Sequence, residues 1–135
     1  MRVWIARIAF ALVFLVNIAC ALQFIVDPAS YVGAYQLEGT GAVAAIQGYG
    51  VVFLMWNATY PLFVFRPDRF MVLGAIILLQ QAIGLLGESI IFAMLPDAGA
   101  EVLACSVMRF MAFDGIGLLI MLAAYVLLLW ERRKA

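Results

Sequence analysis

Five polar side chains that could do chemistry stand inside long apolar stretches of this 135-residue chain: Gln47, Gln81, Glu88, Arg109 and Asp114. Ionisable groups at membrane depth are rare and costly, and they usually face the interior of a helix bundle or a cavity. Carboxylates can hold or move a proton, and an arginine can hold an anionic or carbonyl-bearing head group. The chemistry of the chain therefore depends on which of these side chains meet.

The heights of these residues within their apolar stretches predict an ion pair. Glu88 lies seven residues before Leu95, where the third stretch ends, and Arg109 lies seven residues after Val102, where the fourth begins. At about 1.5 Å per residue, both lie ~10 Å below the same end of the bundle. We therefore expect Glu88 and Arg109 to pair, with Gln47 close to the same layer.

A second polar layer is predicted deeper in the bundle, where Asp114, Gln81 and Asn17 fall. One interpretation is that the polar set only fixes helix register, as polar side chains between membrane helices do at about 0.6 kcal/mol each. The other is that it lines a pocket for a head group, a substrate or a proton.

The residue types that are missing narrow the chemistry further. The chain has no histidine, its single lysine is Lys134, and it has neither a CxxC motif nor a glycine-rich phosphate loop. We therefore expect no intrinsic catalysis, no metal and no cofactor of its own, although a bound lipid or quinone would fit. A net charge of 0 offers no basic surface for nucleic acid. Cys20 and Cys105 are predicted to be buried free thiols, with a disulfide as the alternative.

Four apolar stretches must position these residues, and they cover residues 3–26, 41–65, 70–95 and 102–130. With 68% hydrophobic and 12% charged residues, the composition excludes a soluble monomer. Each stretch exceeds the roughly 20 residues that a helix needs to cross a bilayer. The sequence thus predicts an all-α, integral membrane four-helix bundle that forms one domain over residues 1–135.

Pro61, four residues after Asn57, predicts a helix kink in the second span. Residues 29–40 are expected to cover one end of the bundle or to lie along the membrane interface.

The charges between the spans predict their direction. Seven of the eight basic residues fall on one side of a four-span chain: Arg2, Arg7, Arg66, Arg69, Arg132, Arg133 and Lys134. The other two loops carry Asp27, Glu38, Asp97 and Glu101 and no basic residue. The positive-inside rule then places the N- and C-termini in the cytoplasm, and we expect a multi-pass protein of the bacterial inner membrane.

Three motifs of the spans carry a resemblance: Phe53 to Asn57 (FLMWN), Gln81 to Glu88 (QAIGLLGE), and Arg109-Phe110 with Phe113-Asp114-Gly115. They resemble a group of bacterial four-span membrane proteins whose general architecture is similar to that of DoxX-like proteins. The resemblance implies a link to quinone or thiosulfate metabolism and to redox complexes. It implies no role for any single residue.

Two functional hypotheses follow from these observations. The first is a small accessory subunit, without a redox cofactor of its own, that packs against the subunits of a larger respiratory or photosynthetic electron-transfer complex in the lipid bilayer. The alternative is a binder or transporter of a small molecule, with a quinone-like or anionic head group, that uses the intramembrane layer of Glu88, Arg109 and Asp114.

Overall fold

The structure is a computed structural model that describes residues 1–96 and 98–132, and helices are the only regular secondary structure in this part of the chain. Its helices are α1 (Arg2–Val26), α2 (Ala29–Val32), α3 (Gly39–Asn57), α4 (Tyr60–Phe65), α5 (Met71–Met94) and α6 (Glu101–Arg132), with a 3-10 turn at Gly33–Tyr35. Four spans, formed by α1, by α3 with α4, by α5 and by α6, are long and apolar enough to cross a membrane. The predicted all-helical architecture, with four helices long and apolar enough to span a membrane, is thus confirmed. Asp97, Arg133, Lys134 and the side chain of Arg132 lie outside the described residues.

Basic and acidic residues gather at opposite ends of the bundle. At one end, the Arg7 guanidinium donates to the Phe65 carbonyl at 2.7 Å, and Arg2 lies over the Trp130 ring at 5.6 Å. At the other end, the amide of Gln36 donates to the Gly99 carbonyl at 2.7 Å. We call these the basic end and the acidic end, after the charges that the sequence places there.

The second span is interrupted rather than merely kinked. Helix α3 ends at Asn57 and α4 begins at Tyr60, so that Pro61 falls in the first turn of α4, where its missing N–H costs nothing. The side chain of Asn57 does not satisfy its own freed carbonyl but donates to the Phe53 carbonyl at 2.8 Å. The hydroxyl of Thr59 is buried and has no hydrogen-bond partner among the described residues.

The interruption changes which helices meet. Helix α1 packs against α3, α4 and α6, and α5 packs against α6. The second span meets α5 mainly through the short helix α4 at the basic end, whereas α3 is not among the main neighbours of α5. The bundle is therefore closed at the basic end and leaves space between α3 and α5 toward the acidic end.

The hydrophobic core occupies the basic half. Its buried members come from the first half of α1, from α4, from the first half of α5 and from the last half of α6: Ala6, Ala9, Phe10, Val13, Tyr60, Phe63, Met71, Ile77, Leu78, Met121, Ala124 and Leu128. The rings of Phe10 and Phe63 lie 4.4 Å apart. A methyl group added at Gly74 would lie 2.5 Å from the Phe63 ring, so the glycine lets α5 come close to α4.

Residues 29–36, which we call the lid segment, cover the acidic end. The Tyr31 ring meets the Phe24 ring edge-on at 4.6 Å, and its hydroxyl donates to the side chain of Gln23. Gln36, in the left-handed region at a φ of 53°, also accepts a hydrogen bond from the Leu103 backbone at 3.0 Å. This bond satisfies one of the free N–H groups at the start of α6 and fixes the lid segment there.

Candidate functional site

Gln81 and Asp114 meet at the centre of the bundle. The Gln81 amide donates to Asp114 Oδ1 at 3.0 Å, and it accepts from the Tyr60 hydroxyl at 3.4 Å. Gln81 is fully buried and Asp114 is half-buried. A chain of hydrogen bonds thus joins the break in the second span to α5 and α6.

A second buried pair lies beside the first. Asn17 Nδ2 donates to Asn57 Oδ1 at 3.2 Å, and Asn57 Nδ2 donates in turn to the Phe53 carbonyl. A carbonyl can only accept, so it fixes the orientation of the Asn57 amide, which fixes that of Asn17. The sequence places Asn17 at this depth but assigns Asn57 only to the kink, because the pairing depends on where α3 ends.

The predicted ion pair between Glu88 and Arg109 does not form; this expectation was wrong. Arg109 is exposed, and its guanidinium donates to the hydroxyl of Ser106 at 3.3 Å. Glu88 is half-buried, with an Oε2 atom that has no hydrogen-bond partner in the described part of the chain. Because Asp114 faces α5, Arg109, five residues earlier, is rotated by about 140° around α6 and points away from α5.

Gln47 is not part of the polar layer, contrary to expectation. Its side chain is exposed and donates to the Ile25 carbonyl at 3.3 Å. That carbonyl belongs to the last turn of α1, where backbone oxygens lack helical partners. Gln47 therefore caps the end of α1.

Both cysteines are free thiols, so the disulfide alternative is wrong. Cys20 is half-buried at the edge of a cavity, whereas Cys105 is exposed on α6 and is not the buried side chain that we expected. A residue in an apolar span can face outward, because the lipid side of the bundle is as apolar as its interior.

Three adjoining cavities fill the acidic half. The mouth cavity, of about 240 Å³, lies beneath the lid segment and is lined by Cys20, Tyr31, Tyr35, Ser106, Arg109 and Asp114 among others. The inner cavity, of about 110 Å³, is lined by Asn17, Phe53, Trp56, Asn57, Gln81, Gly84, Glu88 and Asp114. The side cavity, of about 370 Å³, lies toward Tyr49, Ile91 and Val107. Phe53 borders all three cavities, and Asp114 borders the first two.

Gly84 leaves room beside the Asp114 carboxylate, which lines the inner cavity. A methyl group added there would lie 3.1 Å from Asp114 Oδ2 and 3.1 Å from the Trp56 ring. Oδ2 is the oxygen of Asp114 that Gln81 does not contact. The sequence shows Gly84 only as a small residue suited to close helix packing, because its true neighbour lies across the bundle.

Tyr35 lies within electrostatic reach of both charges that failed to pair. Burial raises the pKa of its phenol well above the usual range, and the nearby Cys20, Tyr49 and Glu88 act in the same direction. Arg109 acts in the opposite direction. Tyr35 lines both the mouth cavity, together with Arg109, and the side cavity, together with Glu88.

Together, the fold and the cavities define a class: a helical bundle with four helices able to span a membrane and a polar internal space at one end. Beyond this class, the chain matches no protein-family model, no curated protein and no solved structure.

Proposed function

We propose that this chain is an integral membrane protein that binds a small amphipathic molecule in its mouth and inner cavities. The observation that carries the proposal is the position of Arg109. It lines the mouth cavity, and no carboxylate of the described residues pairs with it. An exposed guanidinium beside an internal space suits a phosphate, carboxylate or carbonyl group of a ligand.

The cavity walls suit the apolar part of such a ligand. Aromatic side chains of the lid segment, α3 and α6 line the mouth cavity, namely Tyr31, Tyr35, Phe53, Phe110 and Phe113. Its volume of about 240 Å³ lies near the lower limit of roughly 300 Å³ for typical ligand pockets, and the inner and side cavities adjoin it. The space between α3 and α5 gives an apolar tail a path toward the bilayer.

The same proposal includes an orientation. The basic end, with Arg2, Arg7, Arg66 and Arg69, suits the cytoplasmic side of a bacterial inner membrane. The cavities and the lid segment would then lie in the outer half of that membrane. A ligand would reach them from the outer leaflet or from the periplasm.

The test uses Trp56 as a reporter, since it lines the inner cavity. The chain has three tryptophans, so Trp4→Phe with Trp130→Phe leaves Trp56 alone; we call this double variant the reporter chain. In nanodiscs of phosphatidylcholine, we expect decyl phosphate to change the fluorescence of Trp56 with a saturable dependence. Arg109→Gln should weaken this binding about tenfold, because it removes a charged hydrogen bond worth about 1.5–3 kcal/mol.

Arg69→Gln is the matched control, because Arg69 is an exposed arginine of the basic end. It should leave the affinity for decyl phosphate unchanged. Equal affinities in the Arg109→Gln and unmodified reporter chains would contradict the proposal.

The accessory-subunit hypothesis, together with the DoxX-like resemblance behind it, stays a prediction. Exposed apolar side chains cover all four spans, among them Leu15, Val52, Leu86 and Leu119. Such faces suit the acyl chains of lipids as well as the helices of a partner subunit. The cavities, by contrast, specifically favour a ligand, and intrinsic catalysis forms no part of the proposal.

A further inference from the structure

The inner cavity contains an acceptor that the protein leaves unused. Asn17 is only 4% exposed, and the carbonyl of Phe53 fixes its amide orientation through Asn57. Its Nδ2 is occupied by Asn57, whereas its Oδ1 accepts no hydrogen bond from any described residue. Asn17 lines the inner cavity, so this oxygen is available to a donor that a ligand brings.

Two carboxyl groups border the same cavity. Asp114 Oδ1 accepts from Gln81, which leaves Oδ2 beside Gly84 without a donor. Glu88 adds its Oε2, which is buried and lacks a hydrogen-bond partner in the described part of the chain. Three residues, on α1, α5 and α6, thus line one space of about 110 Å³, and each has a side-chain oxygen without a donor among the described residues.

From this arrangement we infer that the inner cavity binds a primary ammonium group. An ammonium has three N–H donors and no acceptor, which matches three oxygens without donors. Its charge also offsets the two carboxylates, which would otherwise be buried near each other without compensation. The inference rests on the proposed function and narrows its ligand to a zwitterion, whose anionic group contacts Arg109 and whose ammonium contacts Asp114.

The spacing of the two charges sets the size of the polar part. Arg109 and Asp114 are five residues apart on α6, which is about 7.5 Å along the helix axis. An anion and an ammonium separated by a few bonds can bridge this distance, as in phosphoethanolamine. That chemistry occurs both in the head group of phosphatidylethanolamine and in free small zwitterions.

The experiment compares head groups that differ in their N–H donors. The reporter chain in phosphatidylcholine nanodiscs is titrated with dihexanoyl phosphatidylethanolamine, and in parallel with dihexanoyl phosphatidylcholine, whose quaternary ammonium has no N–H. We expect the first to bind at least tenfold more tightly. Titration with free phosphoethanolamine separates the two sources, since binding of the free zwitterion shows that the head group suffices, and binding of the lipid alone shows that the acyl chains are needed as well.

Two variants test the carboxyl groups. Asp114→Asn keeps the oxygen that accepts from Gln81 but replaces the other carboxylate oxygen with an N–H donor. Glu88→Gln changes a side chain that forms no hydrogen bond with any described residue, so the substitution disrupts none. Each should reduce the preference for phosphatidylethanolamine at least fivefold, whereas Asp68→Asn, an exposed carboxyl group of the basic end, should leave it unchanged.

The inference is overturned if the two lipids bind equally, or if the preference survives both carboxyl substitutions. In that case, Arg109-dependent binding of decyl phosphate would still support the proposed function. If decyl phosphate and both lipids fail to bind, the proposed function fails as well.

Discussion

The two halves of the bundle are built from the same four spans but differ in how those spans are filled. In the basic half, α4 lies between α1 and α5, and the rings of Phe10 and Phe63 occupy the space between them. In the acidic half, α3 diverges from α5, and three cavities with buried polar side chains lie beside a smaller set of buried apolar residues, among them Ala21, Phe24 and Ile46. The interruption of the second span at Ala58 and Thr59 lies between these two halves. The hydrophobic core and the internal cavities thus lie in different stretches of the same helices.

The largest expected effect comes from a substitution that disrupts the packing of the basic half. Phe63→Ala removes a fully buried ring that contacts Phe10 and reaches Gly74. We expect a loss of about 3 kcal/mol in the free energy of unfolding, which is typical of such truncations. Unfolding by sodium dodecyl sulfate in mixed micelles measures this loss.

The matched substitution in the acidic half is Phe53→Ala. Phe53 is only half-buried and already borders three cavities, so its loss should cost less than half as much. Similar losses from both substitutions would show that the two halves contribute equally to stability.

A smaller effect is expected from narrowing the inner cavity. Gly84→Ala places a methyl group 3.1 Å from both Asp114 Oδ2 and the Trp56 ring. We expect the affinity of the reporter chain for decyl phosphate to fall about fivefold with little change in stability. Gly87→Ala is the control, since a methyl group there meets no atom within 4 Å. Equal affinities for the two variants would place the ligand outside the inner cavity.

An effect of similar size is expected for the lid segment. Gln36→Ala removes two exposed hydrogen bonds, to Gly99 and from Leu103. At about 1 kcal/mol, this loss should raise opening of the lid segment about fivefold. The rate at which a maleimide labels Cys20, in a Cys105→Ser background, reports this opening.

Gln47→Ala provides the comparison for the lid prediction. Gln47 is an exposed glutamine near the acidic end that also donates to a backbone carbonyl, but it caps α1 and does not hold the lid segment. It should leave the labelling rate of Cys20 unchanged. The prediction would be refuted if the two glutamine variants were labelled at the same rate.

The sequence is sufficient for features that depend only on position along the chain. Apolar length gives the four spans, and counting residues from the ends of the spans places Gln81 and Asp114 at nearly the same depth. The same counting fails for Glu88 and Arg109, because they lie at the same depth in the bundle but their side chains do not face each other. The rotation of each helix about its axis depends on all of its packing contacts, and Arg109 is turned away because Asp114 occupies the position that faces α5.

The pair of Asn17 and Asn57 shows a second limit of the sequence. Pro61 predicts a disturbance of the second span, but a proline in the first turn of a new helix and a proline within a bent helix look alike in a sequence. In the structure Asn57 is the last residue of α3, and its side chain pairs with that of Asn17. Both asparagines line the inner cavity, so the point at which α3 ends contributes to the shape of that cavity.

The ring of Phe53 borders all three cavities. A change of its rotamer would merge neighbouring compartments without moving any helix, and side-chain rotations of this kind are far faster than helix displacements. If the proposed ligand binds in these cavities, the orientation of this one ring would set how much of their combined volume the ligand can occupy.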